Sequence, residues 1–498
     1  MDPVLSAIQM VINPEILLLL LAGVVGGIAI GSIPGLTATM AVAILTSFTF
    51  GMSAIEAIMV LLGIYVGGVY GGSIAAILLH IPGTPSAIMT ARDGYPMAKQ
   101  GLAGQAIGIS TTASFLGGMI SVVFLVLGAP IISRFALKFS APEYFALAIF
   151  GLSIIANVSG KSLLKGLIAA ALGILLSAIG MDPITGIQRF TFNEMNLQTG
   201  LNFVPLMIGL FGLSEILQQL RNVENHVEVR QEIKNVVPSF SLLKRLSKVI
   251  VRSSLIGTFI GALPGAGGTI ASFAAYNDAK QTSQHPEKFG EGIPEGVAAP
   301  EAANNATVGG ALMPLLTLGV PGDAITAILI GAFMIHSLQP GPMLFKNNPE
   351  IIYAVYLGTA LANIFMLIVG LAGARLFARA ISLPNNILIP LILLLCIVGS
   401  YAVSNNYFDI GVMILFGIIG YSLDNLDVPM APMVLGIVLG PMAETNLRNA
   451  LIMAQGQVSV LFLRPIAAFF WVITIAMLLW PKLKKRWQAR SQEVVTEE

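Results

Sequence analysis

The sequence predicts an all-α polytopic membrane protein: roughly a dozen membrane elements in two inverted repeats, with broken or re-entrant helices at a midplane site. Composition is the first reason. Of 498 residues, 56% are hydrophobic and 10% charged, where a soluble domain carries about 25% charged residues. The second is the placement of helix breakers, since the 52 glycines and 27 prolines fall within apolar runs rather than in linkers. The third is a duplication of two Pro-Gly interruptions. Lys and Arg number 26 against 25 Asp and Glu, a net charge of +1, so no electrostatic footprint for nucleic acid exists and the lipid bilayer is the expected surrounding.

A helix needs about 20 apolar residues to cross a ~30 Å hydrocarbon core. Segments of that kind lie near 15–33, 36–51, 54–81, 103–131, 142–158, 162–181, 200–217, 253–275, 307–337, 351–378, 386–402, 409–421, 430–442 and 459–480. Several are short or interrupted by Gly and Pro, as paired half-helices are, and these survive only where protein or a water-filled cavity satisfies the freed backbone groups. The apolar start has no Lys or Arg before it and reads as a first membrane segment rather than a secretory signal. The single cysteine, Cys396, sits in the run Leu391 to Val398 and reads as a small packing residue.

Basic residues set orientation. Arg221, Arg230, Lys234, Lys244, Arg245, Lys248 and Arg252 fill the stretch 218–252, and Lys482, Lys484, Lys485, Arg486 and Arg490 follow Trp480. Both stretches are expected in the cytoplasm, and the N-terminus, with no Lys or Arg before Arg92, on the other side. The expected organisation is a first transmembrane repeat over 1–217, a basic connecting segment over 218–252, a second repeat over 253–480 and a charged cytoplasmic tail over 481–498. Three apparent spans separate the basic residues Arg134 and Lys138 from Arg221, whereas two stretches on one side require an even number, so one of the three does not cross.

Self-comparison reveals the duplication. Gly31-Ser32-Ile33-Pro34-Gly35, followed by Leu36-Thr37-Ala38-Thr39, reappears 230 positions later as Gly261-Ala262-Leu263-Pro264-Gly265, followed by Ala266-Gly267-Gly268-Thr269. Gly71-Gly72-Ser73 and Ile81-Pro82-Gly83 match Gly309-Gly310-Ala311 and Val320-Pro321-Gly322, with one extra residue in the later copy. The helix leading to Pro34 starts from a stretch without basic residues and the helix leading to Pro264 from a basic one, so the copies are expected to enter from opposite faces. Secondary transporters built this way place substrate and coupling ion where broken helices of both halves meet.

The residue types suit that chemistry. Proline removes a backbone donor and clashes with the preceding turn, and the adjacent glycine accepts the bend. A new half-helix then begins with unsatisfied N–H groups and the positive end of its dipole. The candidate anion-binding set is Pro34, Gly35, Thr37, Thr39, Ser73, Pro82, Gly83, Thr84, Pro264, Gly265, Gly267, Gly268, Thr269, Pro321 and Gly322, where backbone and hydroxyl donors can hold a carboxylate without a buried Arg. No Lys or Arg occupies any of the four interruptions. The alternative for a single Pro-Gly is a packing kink, and for a single Ser or Thr a bond to its own helix.

Pro300-Glu301-Ala302-Ala303-Asn304-Asn305-Ala306 ends the polar segment 276–306 and runs directly into an apolar stretch. The remainder of that segment reads as a solvated loop. Carboxylate and amide oxygens are ligands for hard cations, so Glu301, Asn304, Asn305 and Asp323 are the candidate coupling-ion residues, for Na+ or H+; Asp323 can equally cap the helix that follows it. His80 and His336 flank the second interruptions and read as packing residues. No H-E-x-x-H or Walker-type loop is present, no catalytic residue is assigned, and no cofactor or metal beyond Na+ is expected.

The strings Gly31 to Thr39, Tyr70 to Leu79, Ile81 to Pro85, Asp93 to Ala98, Gly261 to Thr269, Pro300 to Ala306 and Leu338 to Pro342 resemble the large membrane subunit of tripartite tricarboxylate transporters, the TctA family, from about residue 20 to beyond 440. The resemblance implies a multi-pass protein of the bacterial inner membrane. It implies secondary import of carboxylates such as citrate by symport with Na+ or H+, and two partners: a small TctB-like membrane subunit and a TctC-like periplasmic solute-binding protein. A homo-oligomer is compatible with it. Pro34, Gly35, Thr39, Pro82, Gly83, Pro264, Gly265, Asn304, Asn305, Pro321 and Gly322 fall on the family's motif positions, while His80 stands where the family more often has Asn and Ser337 where it more often has Gly. The other readings are a self-sufficient carboxylate symporter, an intramembrane enzyme using Asp323, Glu301 and His336, and a helical scaffold.

Overall fold

The computed structural model describes residues 2–158, 162–221, 233–380 and 385–478. In chain order the helices are α1 (Pro3–Val11), α2 (Pro14–Ser32), α3 (Ala38–Phe48), α4 (Ala54–Leu79), α5 (Ile88–Met97), α6 (Ala103–Ala136), α7 (Ala141–Val158), α8 (Leu163–Ser177), α9 (Phe203–Met207) and α10 (Ser214–Arg221). There follow α11 (Phe240–Gly261), α12 (Gly267–Thr282), α13 (Pro294–Leu318), α14 (Ala324–Ile335), α15 (Pro342–Asn347), α16 (Pro349–Ala380), α17 (Asn385–Ser404), α18 (Tyr407–Asn425), α19 (Met430–Met453), α20 (Val460–Leu463) and α21 (Pro465–Leu478). Among the described residues, 8 helices are long and apolar enough to cross a membrane. The expected tail 481–498 and residues 222–232 of the basic connecting segment lie outside the described residues.

Local sequence explains where the helices start. Asn13 accepts from Glu15 N–H at 3.0 Å ahead of Pro14, a proline position that costs no hydrogen bond. Ser53 donates its N–H to Glu56 at 2.7 Å and caps α4 in return, a reciprocal box that satisfies two end donors. The chain then packs as two units, Met1–Leu137 with Asn202–Asn425, and Lys138–Leu201 with Leu426–Glu498. Each of the expected repeats contributes to both.

In the first unit the duplication is visible as repeated close packing. Gly23, Gly27 and Gly31 of α2 lie against the carbonyls of Val60, Ile64 and Gly68 of α4, where a side chain would collide with backbone. Gly257 and Gly261 of α11 lie the same way against Ala303 and Thr307 of α13. Small residues four apart let membrane helices approach this closely. Correspondence is by 230 residues for the first helix of each pair and 239 for the second. The structure also resolves the register: Gly71 packs on Ile28 O and Gly31 Cα, and Gly310 on Thr258 O and Gly261 Cα. Gly71 therefore corresponds to Gly310, and the extra residue suggested by the sequence match is not needed.

Contacts give the sense of each pair. Positions rise together along α2 and α4, and along α11 and α13, so each pair is parallel. Tyr70 meets Thr111 and Ser73 meets Ser110, which runs α6 antiparallel to α4. Gly117 lies on Ala302 and Gly309 on Ser121, which runs α6 parallel to α13. The two pairs consequently point in opposite directions.

Two segments that hydropathy merges are each two helices. The stretch 253–275 contains the end of α11, a break and α12, and 307–337 contains the end of α13, a break and α14. Most of 276–306 is also helical, and residues 296–306 are buried throughout. Glu301, Asn304 and Asn305 are there packed inward, whereas the polar residues from Gln284 to Lys288 are exposed.

The second unit holds α7, α8, α19, α20 and α21 with a short hairpin, β1 (Gly180–Met181) against β2 (Gln188–Arg189), Gly180 opposite Arg189. Gly173 of α8 and Gly436 of α19 form its close contact. With 15 residues, α8 is the shortest of the three segments between Lys138 and Arg221, about 22 Å at 1.5 Å per residue. Asp182 is held by Arg448 at 2.6 Å and accepts from Ile184 and Thr185 N–H at 2.8 and 3.1 Å. The Arg448 bond first, then these amides, keep its carboxyl well below the usual carboxylate range. Arg189 pairs with Glu444 at 2.5 Å, and Arg464 with the buried Glu143 at 2.7 Å.

Candidate functional site

Four interruptions punctuate the first unit, and the structure brings them together. The first runs from Ile33 to Thr37. Pro34 and Gly35 make the corner, with Gly35 at φ +82°, and the Gly35 carbonyl accepts from Gln219 Nε2 at 2.8 Å. Thr37 caps α3, its hydroxyl accepting from Met40 N–H at 3.2 Å. Thr39 lies in the first turn and is half-buried. The third interruption repeats the corner: Pro264 is followed by Gly265 at φ +74°. Here no side chain caps the next helix, so the first N–H groups of α12, at Gly267, Gly268 and Thr269, are open to a ligand.

The second and fourth interruptions also match. His80 ends α4 in the left-handed region (φ +62°), and Gly319 ends α13 there (φ +69°). Pro82-Gly83 and Pro321-Gly322 follow. Gly83 fits a notch formed by Gly31 O and Gly72 Cα, and Gly322 fits its counterpart formed by Gly261 O and Ala311 Cα. The positions after them differ: Thr84 bonds Ser86 at 3.0 Å, whereas Asp323 caps α14, accepting from Thr326 N–H at 2.8 Å. Tyr65 of α4 donates its hydroxyl to the other Asp323 oxygen at 2.5 Å.

Cross-contacts join the breaks. Gly265 N–H donates to Gly322 O at 2.7 Å, linking the third and fourth. Gly268 lies beside Ser86 and the side-chain oxygen of Asn304, and Gly267 beside Asp323. Helix α3 packs on α14, and α12 packs on Pro85–Ala87 and α5, so the half-helix after each copy's first break meets the element after the other copy's second break. Thr37, Thr39, Gly267, Gly268, Thr269 and Asp323 remain partly exposed. Among the described residues no Lys or Arg is buried, so an anion at this opening would be met by backbone N–H groups and hydroxyls.

Other candidates lie behind the opening. Asn304 donates to Val69 O at 3.2 Å. Glu301 is wholly buried and accepts from Thr90 at 2.5 Å, Ser114 at 3.0 Å and Ser110 at 3.2 Å. Ser73 bonds Ser110 at 2.7 Å and Tyr70 O at 2.8 Å; it belongs to this cluster rather than to the break. Burying an ion costs several kcal/mol, and bonds to a charged group return about 1.5–3 kcal/mol each. Three hydroxyls are thus of the size needed to retain this acid. Asn305 donates to Glu301 O at 3.4 Å, and its side-chain oxygen has no protein partner.

Sequence reasoning missed Tyr65, Thr90, Ser110, Ser114 and Asp93. The hydroxyl run from Ser110 to Ser114 inside an apolar helix was a usable signal. Asp93 was not readable as a structural acid: it is fully buried and accepts from the N–H groups of Gly290, Gly292 and Ile293 at 2.8–3.1 Å and from Tyr276 at 2.7 Å, fixing the approach to α13. The three residues of the enzyme alternative do not form one cluster. Asp323 and His336 stand at opposite ends of α14, about 18 Å apart along a helix of that length, and Glu301 has its own partners. No group of three His, Cys, Asp or Glu side chains placed to hold a metal ion occurs among the described residues.

Comparison with known proteins finds relatives along most of the chain. A 52.8 kDa protein in the TAR-I ttuC' 3' region of Agrobacterium vitis is 38% identical over 454 residues, 91% of this chain and 90% of that protein. A second Agrobacterium vitis protein, in the TAR-II ttuC' 3' region, is 38% identical over 212 residues, 43% of this chain and 88% of that protein. No solved structure matches. The model of the tripartite tricarboxylate transporter TctA family matches residues 17–435, and the chain belongs to that family.

Proposed function

We propose that this chain is the large permease subunit of a tripartite tricarboxylate transporter. In this reading it imports di- or tricarboxylates such as citrate across the bacterial inner membrane, driven by a Na+ or H+ gradient. A TctC-like periplasmic binding protein delivers the substrate and a TctB-like small membrane subunit completes the assembly. The observation that carries the proposal is the meeting of interruptions from both copies at one partly exposed opening, with the uncapped start of α12 in it.

The geometry suggests how the residues divide the work. Gly267, Gly268 and Thr269 present N–H and hydroxyl donors to a substrate carboxylate, and Thr37 and Thr39 border the first break. Asp323 sits beside Gly267, where its charge would repel an anion. Neutralisation of Asp323 by a proton or cation therefore favours substrate binding, and the converse holds by linkage. The opposed directions of the two glycine-packed pairs support an inverted repeat, in which alternating access exchanges two related states.

The test is carboxylate uptake and counterflow in proteoliposomes under imposed Na+ or H+ gradients, with and without the binding protein and small subunit. Uptake that requires the binding protein supports the tripartite reading. Full transport by this chain alone would assign it instead as a self-sufficient symporter.

A further inference from the structure

Among the described residues the buried acids are Asp93, Glu143, Asp182, Glu301 and Asp409. Asp93 is taken up by backbone N–H groups and Tyr276, Glu143 and Asp182 by arginines, and Asp409 by the Asn202 amide. Glu301 differs: its carboxyl is bonded by side-chain hydroxyls alone, three of them from α5 and α6, and no Lys or Arg is buried among the described residues.

The hydroxyls are too many for packing alone. Thr90, Ser110 and Ser114 each point at Glu301, and Ser73 backs Ser110. All are 1% exposed or less. Together with the two carboxyl oxygens they make an all-oxygen cluster carrying one negative charge, the donor chemistry of a hard cation. A bound proton needs one acceptor. A divalent ion would leave an uncompensated positive charge inside the membrane, whereas a monovalent ion leaves none. An independent observation points the same way: Asn305 is fully buried, its amide nitrogen reaches the Glu301 carbonyl at 3.4 Å, and its oxygen has no protein partner.

We propose that Glu301, Thr90, Ser110 and Ser114, with Ser73 behind them and Asn305 Oδ1 as a further ligand, form a sodium site separate from the carboxylate opening. The inference rests on the transporter reading and assigns its coupling ion. Thr90 follows Ser86 by one helical turn, and Ser86 adjoins Gly268 of the opening. An ion seated between α5 and α13 thus holds the segment Thr84 to Thr90 in place and sodium raises carboxylate affinity.

The experiment is thermal unfolding of the full chain in lipid nanodiscs, titrating NaCl against choline chloride at fixed ionic strength, with KCl and pH series as separate arms. The expected result is a saturable upward shift with Na+, absent in Glu301→Gln and weakened at least about tenfold in apparent affinity in Ser114→Ala and Thr90→Val, but retained in Asp323→Asn. Should Glu301→Gln fail to fold, the two hydroxyl variants carry the same test. An unchanged Na+ titration in these variants, no Na+ response in the wild type, or a response that follows pH instead would overturn the proposal. Carboxylate counterflow is measured in parallel: counterflow without a sodium response removes the ion site and leaves the transporter reading, and a sodium response without counterflow of any carboxylate does the reverse.

Discussion

Tyr65 of the first copy donates its hydroxyl to Asp323 of the second at 2.5 Å, 258 residues away in the chain. This bond places an acid from one copy's break against a helix of the other. Asp323 thereby has two roles that substitution can separate. Asn caps helices about as well as Asp, whereas Ala loses about 0.5–2 kcal/mol at an N-cap. Asp323→Asn should keep thermal stability within about 0.5 kcal/mol of wild type and take up carboxylate with a higher apparent affinity, because the charge that repels the anion is gone, while Asp323→Ala should lose stability. Wild-type uptake by Asp323→Asn would reduce the residue to a cap.

The glycine contacts of the two copies should respond alike. Gly27→Ala and Gly257→Ala each place a methyl against a carbonyl, of Ile64 and of Ala303 respectively. Overpacking of this kind costs about 1–3 kcal/mol. Thermal unfolding in detergent or nanodiscs should show losses of similar size at both positions, and a silent Gly257→Ala would break the correspondence between the pairs.

Left-handed positions offer a test with opposite signs. Ser337 is held at φ +57° and Gly319 at φ +69°, and a side chain there costs roughly 1–2 kcal/mol. Ser337→Gly should stabilise the chain and Gly319→Ala should destabilise it, each by about 1 kcal/mol, read as unfolding midpoints. His80 shares the conformation but also stacks on Tyr95 with ring centroids 4.8 Å apart, so exchange for Gly there trades one gain against one loss.

Asp182 gives the pH dependence. Its carboxyl is depressed by Arg448 and by backbone N–H groups, so the folded form binds the proton less readily than the unfolded form. The stabilisation is present above the ordinary carboxylate range near 4 and is lost as pH falls through that range toward the folded value. The hydrogen-exchange protection of residues 180–189, taken relative to the intrinsic rate at each pH, should fall on acidification in the wild type. Asp182→Asn should be less protected already at neutral pH and its protection should change little between about pH 5 and 2, where the wild type loses its stabilisation; a wild-type pH profile in this variant would contradict the assignment.

These results show which parts of the site were legible in the sequence. The four Pro-Gly corners were, because proline and glycine act through the local backbone and leave the same mark in both copies. The partners of Glu301 were not, because Thr90, Ser110 and Ser114 reach it only through the packing of α5 and α6 on α13. Ser73 illustrates the limit: adjacent to Gly72 in the chain, it turns toward Ser110 and away from the break. The segment 276–299 was misleading in part, since the polar residues at the end of α12 and the start of α13 have the same composition as the exposed stretch between them.

The central claim, that a carboxylate is held where α12 begins, is tested most directly at Thr269. Cys396 is buried, so a thiol reagent reports chiefly on a cysteine placed at the opening. In reconstituted Thr269→Cys, citrate or another carboxylate that undergoes counterflow should slow alkylation severalfold, on the order of its occupancy, and chloride at equal ionic strength should not. Alkylation at the same rate with and without the transported carboxylate would contradict the account.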